Sequence, residues 1–119
     1  MKIDLIELSE GIAALLISDA VEISNADNAL DLIGSCGYQG AAAMIIYKQN
    51  LHASFFDLST GLAGEVLQKF SNYNMKLAIV GDFSEHTSKS LNDFIAESNR
   101  AGKISFVASL QEAKEKLSH

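Results

Sequence analysis

Apolar residues along the chain fall into two kinds of segment, which predict strands and helices in alternation. Compact runs, either continuous or alternating, are typical of strands. They are Ile3–Leu8, Ile12–Ile17, Ala41–Tyr47, Met75–Val80 and Ile104–Ala108. The first run alternates as a half-exposed strand should, and Ser9-Glu10-Gly11 supplies a turn after it. The first two runs therefore predict an antiparallel hairpin.

Longer segments with apolar residues at helical spacing follow each later strand. Ser24 and Asp27 have capping-box spacing, as do Ser109 and Glu112, so they predict the starts of the first and last helices. The first helix is expected to end near residues 34–37. The apolar faces include Leu30 and Ile33 in the first helix, Val66 and Phe70 in the second, Leu91 and Phe94 in the third, and Leu110 and Leu117 in the last.

The resulting element order, β-β-α-β-α-β-α-β-α, predicts an α/β fold. Strands that alternate with helices pair in parallel through right-handed crossovers, and the opening hairpin adds an antiparallel strand at one edge. We therefore expect a five-stranded mixed sheet with four helices. The 119 residues contain no linker or repeat, which indicates one domain over residues 1–119.

Composition narrows the classes of partner and compartment. The net charge of −6 argues against a nucleic-acid partner, because phosphate binding needs a positive surface. Cys36 is the single cysteine, so no internal disulfide forms, and no cofactor is indicated. No apolar run is long enough for a membrane span, and residues 1–4 lack a signal-peptide layout. We expect a cytoplasmic protein with a protein partner, able to form a homodimer through an exposed edge or helix face.

Polar side chains follow two of the predicted parallel strands, where ligands usually bind in open α/β sheets. They converge if these strands are neighbours. The first loop carries Lys48, Asn50, His52, Asp57, Ser59 and Thr60; the second carries Asp82, Ser84, Glu85, His86, Thr87, Ser88 and Lys89.

Each hydroxyl cluster in these loops has two interpretations. Ser59 and Thr60 are interpreted as caps of the second helix or as phosphoacceptors at the positive end of its dipole, and the two roles are compatible because a cap hydroxyl can also accept phosphate. Thr87, Ser88 and Lys89 are either caps and solvated surface or an anion site at the third helix.

Catalytic interpretations lack a complete motif. Ser59 and His86 can be assembled with Asp57 or Asp82 into a hydrolytic triad, but no Gly-x-Ser-x-Gly elbow is present. His52 and His86 do not have a spacing typical of zinc ligands.

The first loop and the second helix contain adjacent aromatic residues and two glycines that give two further structural predictions. The adjacent rings Phe55 and Phe56 are expected mainly in the core, with one ring partly exposed. Gly61 and Gly64 are expected to let the second helix approach the sheet closely.

The element order and two segments resemble STAS domains, the fold of bacterial anti-sigma-factor antagonists. Phe56–Leu62 resembles the signature in which an Asp and a Ser/Thr pair precede a Gly at the second helix, although Leu58 replaces a more usual hydroxyl residue. Ser109–Ala113 resembles the entry into the last STAS helix. The loop over residues 48–55 is longer than that loop usually is. This resemblance implies a regulatory module switched by phosphorylation near Asp57, Ser59 and Thr60.

A second resemblance covers essentially the whole chain. It is to a bacterial family catalogued as domain of unknown function 4180, which implies a family but no activity. The segments that carry it are Phe55–Glu65, Gly81–Ser84, Thr87–Leu91 and Asp93–Ile95.

The sequence is compatible with two classes of function. The first is a non-enzymatic regulatory or protein-interaction module whose candidate residues are Asp57, Ser59, Thr60, Asp82 and Ser84. The second is a small ligand-binding protein or hydrolase that uses the same loops. A deep cleft at these loops would favour the second class, and an open surface would favour the first.

Overall fold

The computed structural model describes residues 1–86 and 88–118. It is an α/β fold with one mixed five-stranded sheet, in the order β1-β2-β3-β4-β5, and four α-helices. The elements are β1 (Lys2–Glu7), β2 (Ile12–Ile17), α1 (Ala26–Tyr38), β3 (Ala43–Tyr47), α2 (Leu62–Asn72), β4 (Lys76–Val80), α3 (Lys89–Ala101), β5 (Ile104–Val107) and α4 (Leu110–Leu117). Three short 3-10 turns lie between β3 and α2. The predicted fold class and order of helices and strands are confirmed.

The hairpin and the parallel strands have the predicted directions. β1 pairs antiparallel with β2, from Lys2 opposite Ile17 to Glu7 opposite Ile12. Gly11 allows the tight turn between them because its φ is +90°, a left-handed conformation that favours glycine. β2, β3, β4 and β5 pair in parallel, each with the next strand along the chain.

The two faces of the sheet form separate cores because strand side chains alternate. On one face Met44, Ile46 and Ile79 pack with the apolar sides of α1 and α2, and with Phe94 of α3. On the other face Ile45 packs with residues of α4. A monotonic strand order with right-handed crossovers puts the three connecting helices on the same face. None of the helices in the described ranges is long and apolar enough to cross a bilayer.

Helix capping follows the predicted chemistry, but one cap lies one residue later than expected. α1 is capped by Asn25, whose Oδ1 accepts from the Asn28 backbone N at 2.8 Å. Ser24 and Asp27 do not form the predicted capping box; the Ser24 backbone N instead donates to Asn28 Oδ1 at 3.0 Å. At α4 the prediction holds, since Ser109 Oγ accepts from the Glu112 backbone N at 3.1 Å.

The two edges of the sheet are protected differently. Asn99 of α3 covers the β5 edge, because its Oδ1 accepts from the Phe106 backbone N at 2.7 Å and its Nδ2 donates to the Phe106 carbonyl at 3.3 Å. The Asn99 amide thus occupies the hydrogen-bonding groups to which a further strand would attach. The β1 edge instead carries the charged residues Lys2, Asp4 and Glu7, a common defence against strand pairing.

Replacing Asn99 tests this role. We expect Asn99→Ala to lower the free energy of unfolding by about 1–3 kcal/mol, because both Phe106 backbone groups lose their partner. Urea denaturation measures the change, with an unaltered m-value. Glu97→Ala on the exposed surface of the same helix is the control and should change stability by less than about 0.5 kcal/mol. Equal effects of the two substitutions would contradict the edge-covering role.

Candidate functional site

The two polar loops meet at the carboxyl ends of β3 and β4. These strands are parallel neighbours, with Tyr47 opposite Val80 at their last paired position. The segments that follow them, residues 48–60 and 81–86, therefore leave the sheet side by side. We call this surface the carboxyl edge.

Asn50 anchors the first loop from inside the protein. Its side chain is fully buried, its Oδ1 accepts from the Tyr47 backbone N, and its Nδ2 donates to the carbonyls of Ser18 and Ala20, all at 3.0 Å. The Asn50 carbonyl also accepts from the backbone N atoms of Glu22 and Ile23. The sequence grouped Asn50 with the polar residues of the site. Its contacts instead fix the loop after β3 to the loop after β2.

Lys48 joins the two loops of the carboxyl edge. Its Nζ donates to the Asp82 carbonyl at 2.9 Å and forms an ion pair with Glu85. The same ammonium lies 5.5 Å from the ring centroids of both Phe56 and Phe83, within the range of a cation–π interaction. The ion pair lowers the pKa of the Glu85 carboxyl, mainly through the hydrogen bond from Lys48.

Gly81 permits the close approach on which the Lys48 contacts depend. A Cβ at position 81 would lie 2.7 Å from the Lys48 Cβ, which is closer than real side-chain atoms come. Any larger residue at position 81 therefore displaces one loop from the other.

An aromatic cluster forms the floor of the carboxyl edge. Phe55 is fully buried, whereas Phe56 is partly exposed, as predicted for the pair. Phe56 stacks on the His86 ring with centroids 5.2 Å apart and planes 16° apart. His86 Nε2 is buried and has no hydrogen-bond partner among the described residues. Phe56 and His86 line a depression that has a volume of about 650 Å³ and is open to solvent.

Two turns with the same Asp-Xaa-Ser pattern flank the aromatic cluster. Asp57 Oδ1 accepts from the backbone N and the Oγ of Ser59, at 3.1 and 2.6 Å. Asp82 Oδ1 accepts from the same two atoms of Ser84, at 3.0 and 2.6 Å. These hydrogen bonds favour the charged carboxylate and lower the pKa of both Asp57 and Asp82.

Ser59 and Thr60 differ in what their hydroxyl groups do. Thr60 Oγ1 accepts from the Leu62 backbone N, the first residue of α2, at 3.2 Å. Thr60 Oγ1 also lies 2.7 Å from the Ser54 carbonyl and 2.9 Å from the Asp57 carbonyl. Ser59 is exposed, and its hydroxyl contacts Asp57 and not α2. Thr60 therefore satisfies a free backbone N–H at the start of α2, where the N-cap residue Gly61 has no side chain to do so, whereas the Ser59 hydroxyl does not contact the helix.

The two glycines near α2 do not have the predicted role. Neither Gly61 nor Gly64 packs against the sheet, since a Cβ at either position would meet no atom within 4 Å. Gly61 is instead required by its backbone, because its φ is +78°.

The predicted anion-binding residues have local partners in this structure. Ser88 Oγ caps α3 by accepting from the Leu91 backbone N at 3.3 Å, and Lys89 forms an i,i+4 ion pair with Asp93 at 2.7 Å. Thr87 lies outside the described residues. These contacts fit the interpretation as caps and solvated surface.

The described residues form neither the hydrolytic triad nor the zinc site considered from the sequence. The hydroxyls of Ser59 and Ser84 contact Asp57 and Asp82, and no described histidine hydrogen-bonds to either serine. Within residues 1–86 and 88–118, no group of three His, Cys, Asp or Glu side chains is arranged to hold a metal ion.

The paired turns make a prediction about acid titration. We expect Ser59→Ala to raise the pKa of Asp57 toward its ordinary value of about 3.9, because the largest cause of its lowering is the hydrogen bond from Ser59 Oγ. The turn is stabilised above that ordinary pKa, and the stabilisation is lost as pH falls through the lowered pKa of the folded protein.

Carboxyl-carbon NMR titration of the two aspartates measures this effect, and the second turn supplies the control. Ser84→Ala should raise the pKa of Asp82 and leave that of Asp57 unchanged. If Ser59→Ala shifts neither aspartate, or shifts both equally, the turns do not act as described.

Comparison with known proteins gives a family and no assigned activity. No curated protein and no solved structure matches this chain. One family model matches residues 9–117, which is nearly the full length. The chain therefore belongs to the family described as domain of unknown function (DUF4180).

Proposed function

We propose that this protein is a non-enzymatic regulatory module of STAS type, which binds a protein partner through the carboxyl edge and is switched by phosphorylation of Ser59. The observation that carries the proposal is the exposed Ser59 hydroxyl, held on a defined turn at the carboxyl edge. A kinase can reach such a hydroxyl without unfolding the domain, and a partner can cover the surface around it.

Phosphorylation of Ser59 would change this surface in a defined way. The phosphoester no longer has the O–H that donates to Asp57 Oδ1, so the turn loses its shortest hydrogen bond. The new group adds a charge of about −1.5 to −2 beside a carboxylate that is already ionised. Repulsion between the two anions opens the turn, and the added charge is costly to desolvate in an interface.

The other hydroxyl groups make Ser59 the favoured acceptor. Thr60 Oγ1 is already committed to α2 and to the preceding turn, so its modification would disrupt internal contacts. Ser84 has the same partner geometry as Ser59, on the neighbouring loop. Ser84 is therefore the matched control for any effect that depends only on an added negative charge.

Variants at these positions test the switch. With the partner captured by the wild type from its native cells, we expect Ser59→Glu to reduce binding at least fivefold, a loss of about 1 kcal/mol. We expect Ser59→Ala to retain binding. Both variants should melt within a few degrees of the wild type. Thr60→Ala should lower stability by about 0.5–2 kcal/mol because it removes a cap.

The controls separate a switch at Ser59 from a general charge effect. Ser84→Glu should weaken binding of the partner less than Ser59→Glu does. Phosphopeptide mass spectrometry of the protein from its native cells should find phosphate on Ser59. Binding of Ser59→Glu at the wild-type level, or equal losses in the two Glu variants, would contradict the proposal.

A further inference from the structure

An apolar cleft lies at the opposite, amino edge of the sheet, where β3, β4 and β5 begin. It has a volume of about 530 Å³, within the range of pockets that hold small molecules. Phe70 and Met75 contribute buried surface, and Leu67 of α2 and Phe94 of α3 line it as partly buried residues. None of these residues belongs to the carboxyl edge.

Gly64 keeps one wall of this cleft open. It lies in the first turn of α2, among the residues that line the cleft, and a Cβ there would meet no atom within 4 Å. Glycine in a helix costs about 1 kcal/mol relative to alanine, and here neither a positive φ nor close packing requires it. The absent side chain leaves free volume beside the apolar residues.

Positive charge borders the cleft on a chain whose net charge is −6. Lys76 and Lys103 line it, with Glu10 as the acidic lining residue. Lys103 is exposed, and its ammonium has no hydrogen bond or ion pair within the part of the chain that the structure describes. An anionic group at the mouth of the cleft would find this cation available.

We infer that the amino-edge cleft binds a small amphipathic carboxylate, with its apolar body against Leu67, Phe70 and Phe94 and its head group at Lys103. The apolar volume of the cleft accounts for the body of such a ligand, and the unpaired Lys103 accounts for its charge. This inference is independent of the proposed role of Ser59, because it uses a different edge of the sheet.

Titration with three matched probes tests the chemistry. Octanoate, 1-octanol and octylammonium share an apolar chain and differ in charge. In two-dimensional NMR at low salt and below the aggregation limit of each probe, we expect octanoate to shift amides of α2, α3 and the start of β5 with the lowest Kd. Equal affinity for all three probes, or no saturable shift with octanoate, would overturn the inference.

Two variants locate the site. Gly64→Leu should abolish saturable octanoate binding by filling the cleft, whereas Gly34→Leu, at an equally open position on α1, should not change it. Lys103→Gln should weaken the affinity for octanoate about threefold to fivefold, as expected for the loss of one exposed ion pair, and leave the affinity for 1-octanol unchanged. Lys116→Gln on α4 is the matched control.

Sedimentation equilibrium distinguishes a small ligand from a second copy of the chain. The inference predicts the same mass for the wild type and Gly64→Leu. A wild-type dimer that Gly64→Leu converts to monomer would show that another protomer occupies the cleft, and would overturn the inference, as would octanoate binding unaltered by Gly64→Leu.

Discussion

The buried amide of Asn50 is the constraint on which the carboxyl edge depends. A fully buried polar side chain is stable only when its polar groups have hydrogen-bond partners, and the Asn50 side chain makes three hydrogen bonds to backbone groups. Its partners belong to the end of β3 and to the loop after β2. Two segments that are far apart in sequence are thereby held together, and the loop after β3 begins from a fixed position. Lys48, two residues earlier, can then reach across to the loop after β4 because Gly81 leaves it room.

The carboxyl edge and the amino edge, at opposite ends of the parallel strands, have different chemistry as a result of this architecture. At the carboxyl edge, polar and aromatic residues fill the space between loops, and the exposed serines stand on turns closed by Asp57 and Asp82. At the amino edge, Leu67 of α2 and Phe94 of α3 border an open apolar volume. We propose a protein partner for the first surface and infer a small ligand for the second.

The fold was predictable because each local signal agreed with the global arrangement. The predicted strand Ile12–Ile17 matches β2 at both ends, and no other predicted strand end differs by more than two residues. The contact between the loops after β3 and β4 was predictable from one topological rule, because neighbouring parallel strands have their carboxyl ends on the same side of the sheet. The capping roles of Ser109 and Thr60 are chemical preferences that act over a few residues, so the sequence carries them directly.

The remaining features depend on distances that the sequence does not contain. Asn50 looked like a surface ligand because nothing local shows that it is buried. Asn99 gave no signal of its bond to Phe106, seven residues away and across a helix–strand turn. The spacing of Gly61 and Gly64 predicts close packing of α2 on the sheet, whereas position 64 faces free volume. The amino-edge cleft is a gap between α2 and α3, and a gap leaves no pattern in the residues that border it.

Amide hydrogen exchange in Asn50→Ala tests the central claim most directly. The account predicts that protection falls at Tyr47, whose backbone N loses its Asn50 Oδ1 acceptor. Protection also falls at Glu22 and Ile23, whose backbone N atoms donate to the Asn50 carbonyl, because the loop that holds this carbonyl is released. The β1 amides keep their protection. Asp19→Ala, which removes an exposed side chain from the loop after β2, should leave the pattern unchanged. Wild-type protection at these three amides, or a uniform loss across the sheet, would contradict the role assigned to Asn50.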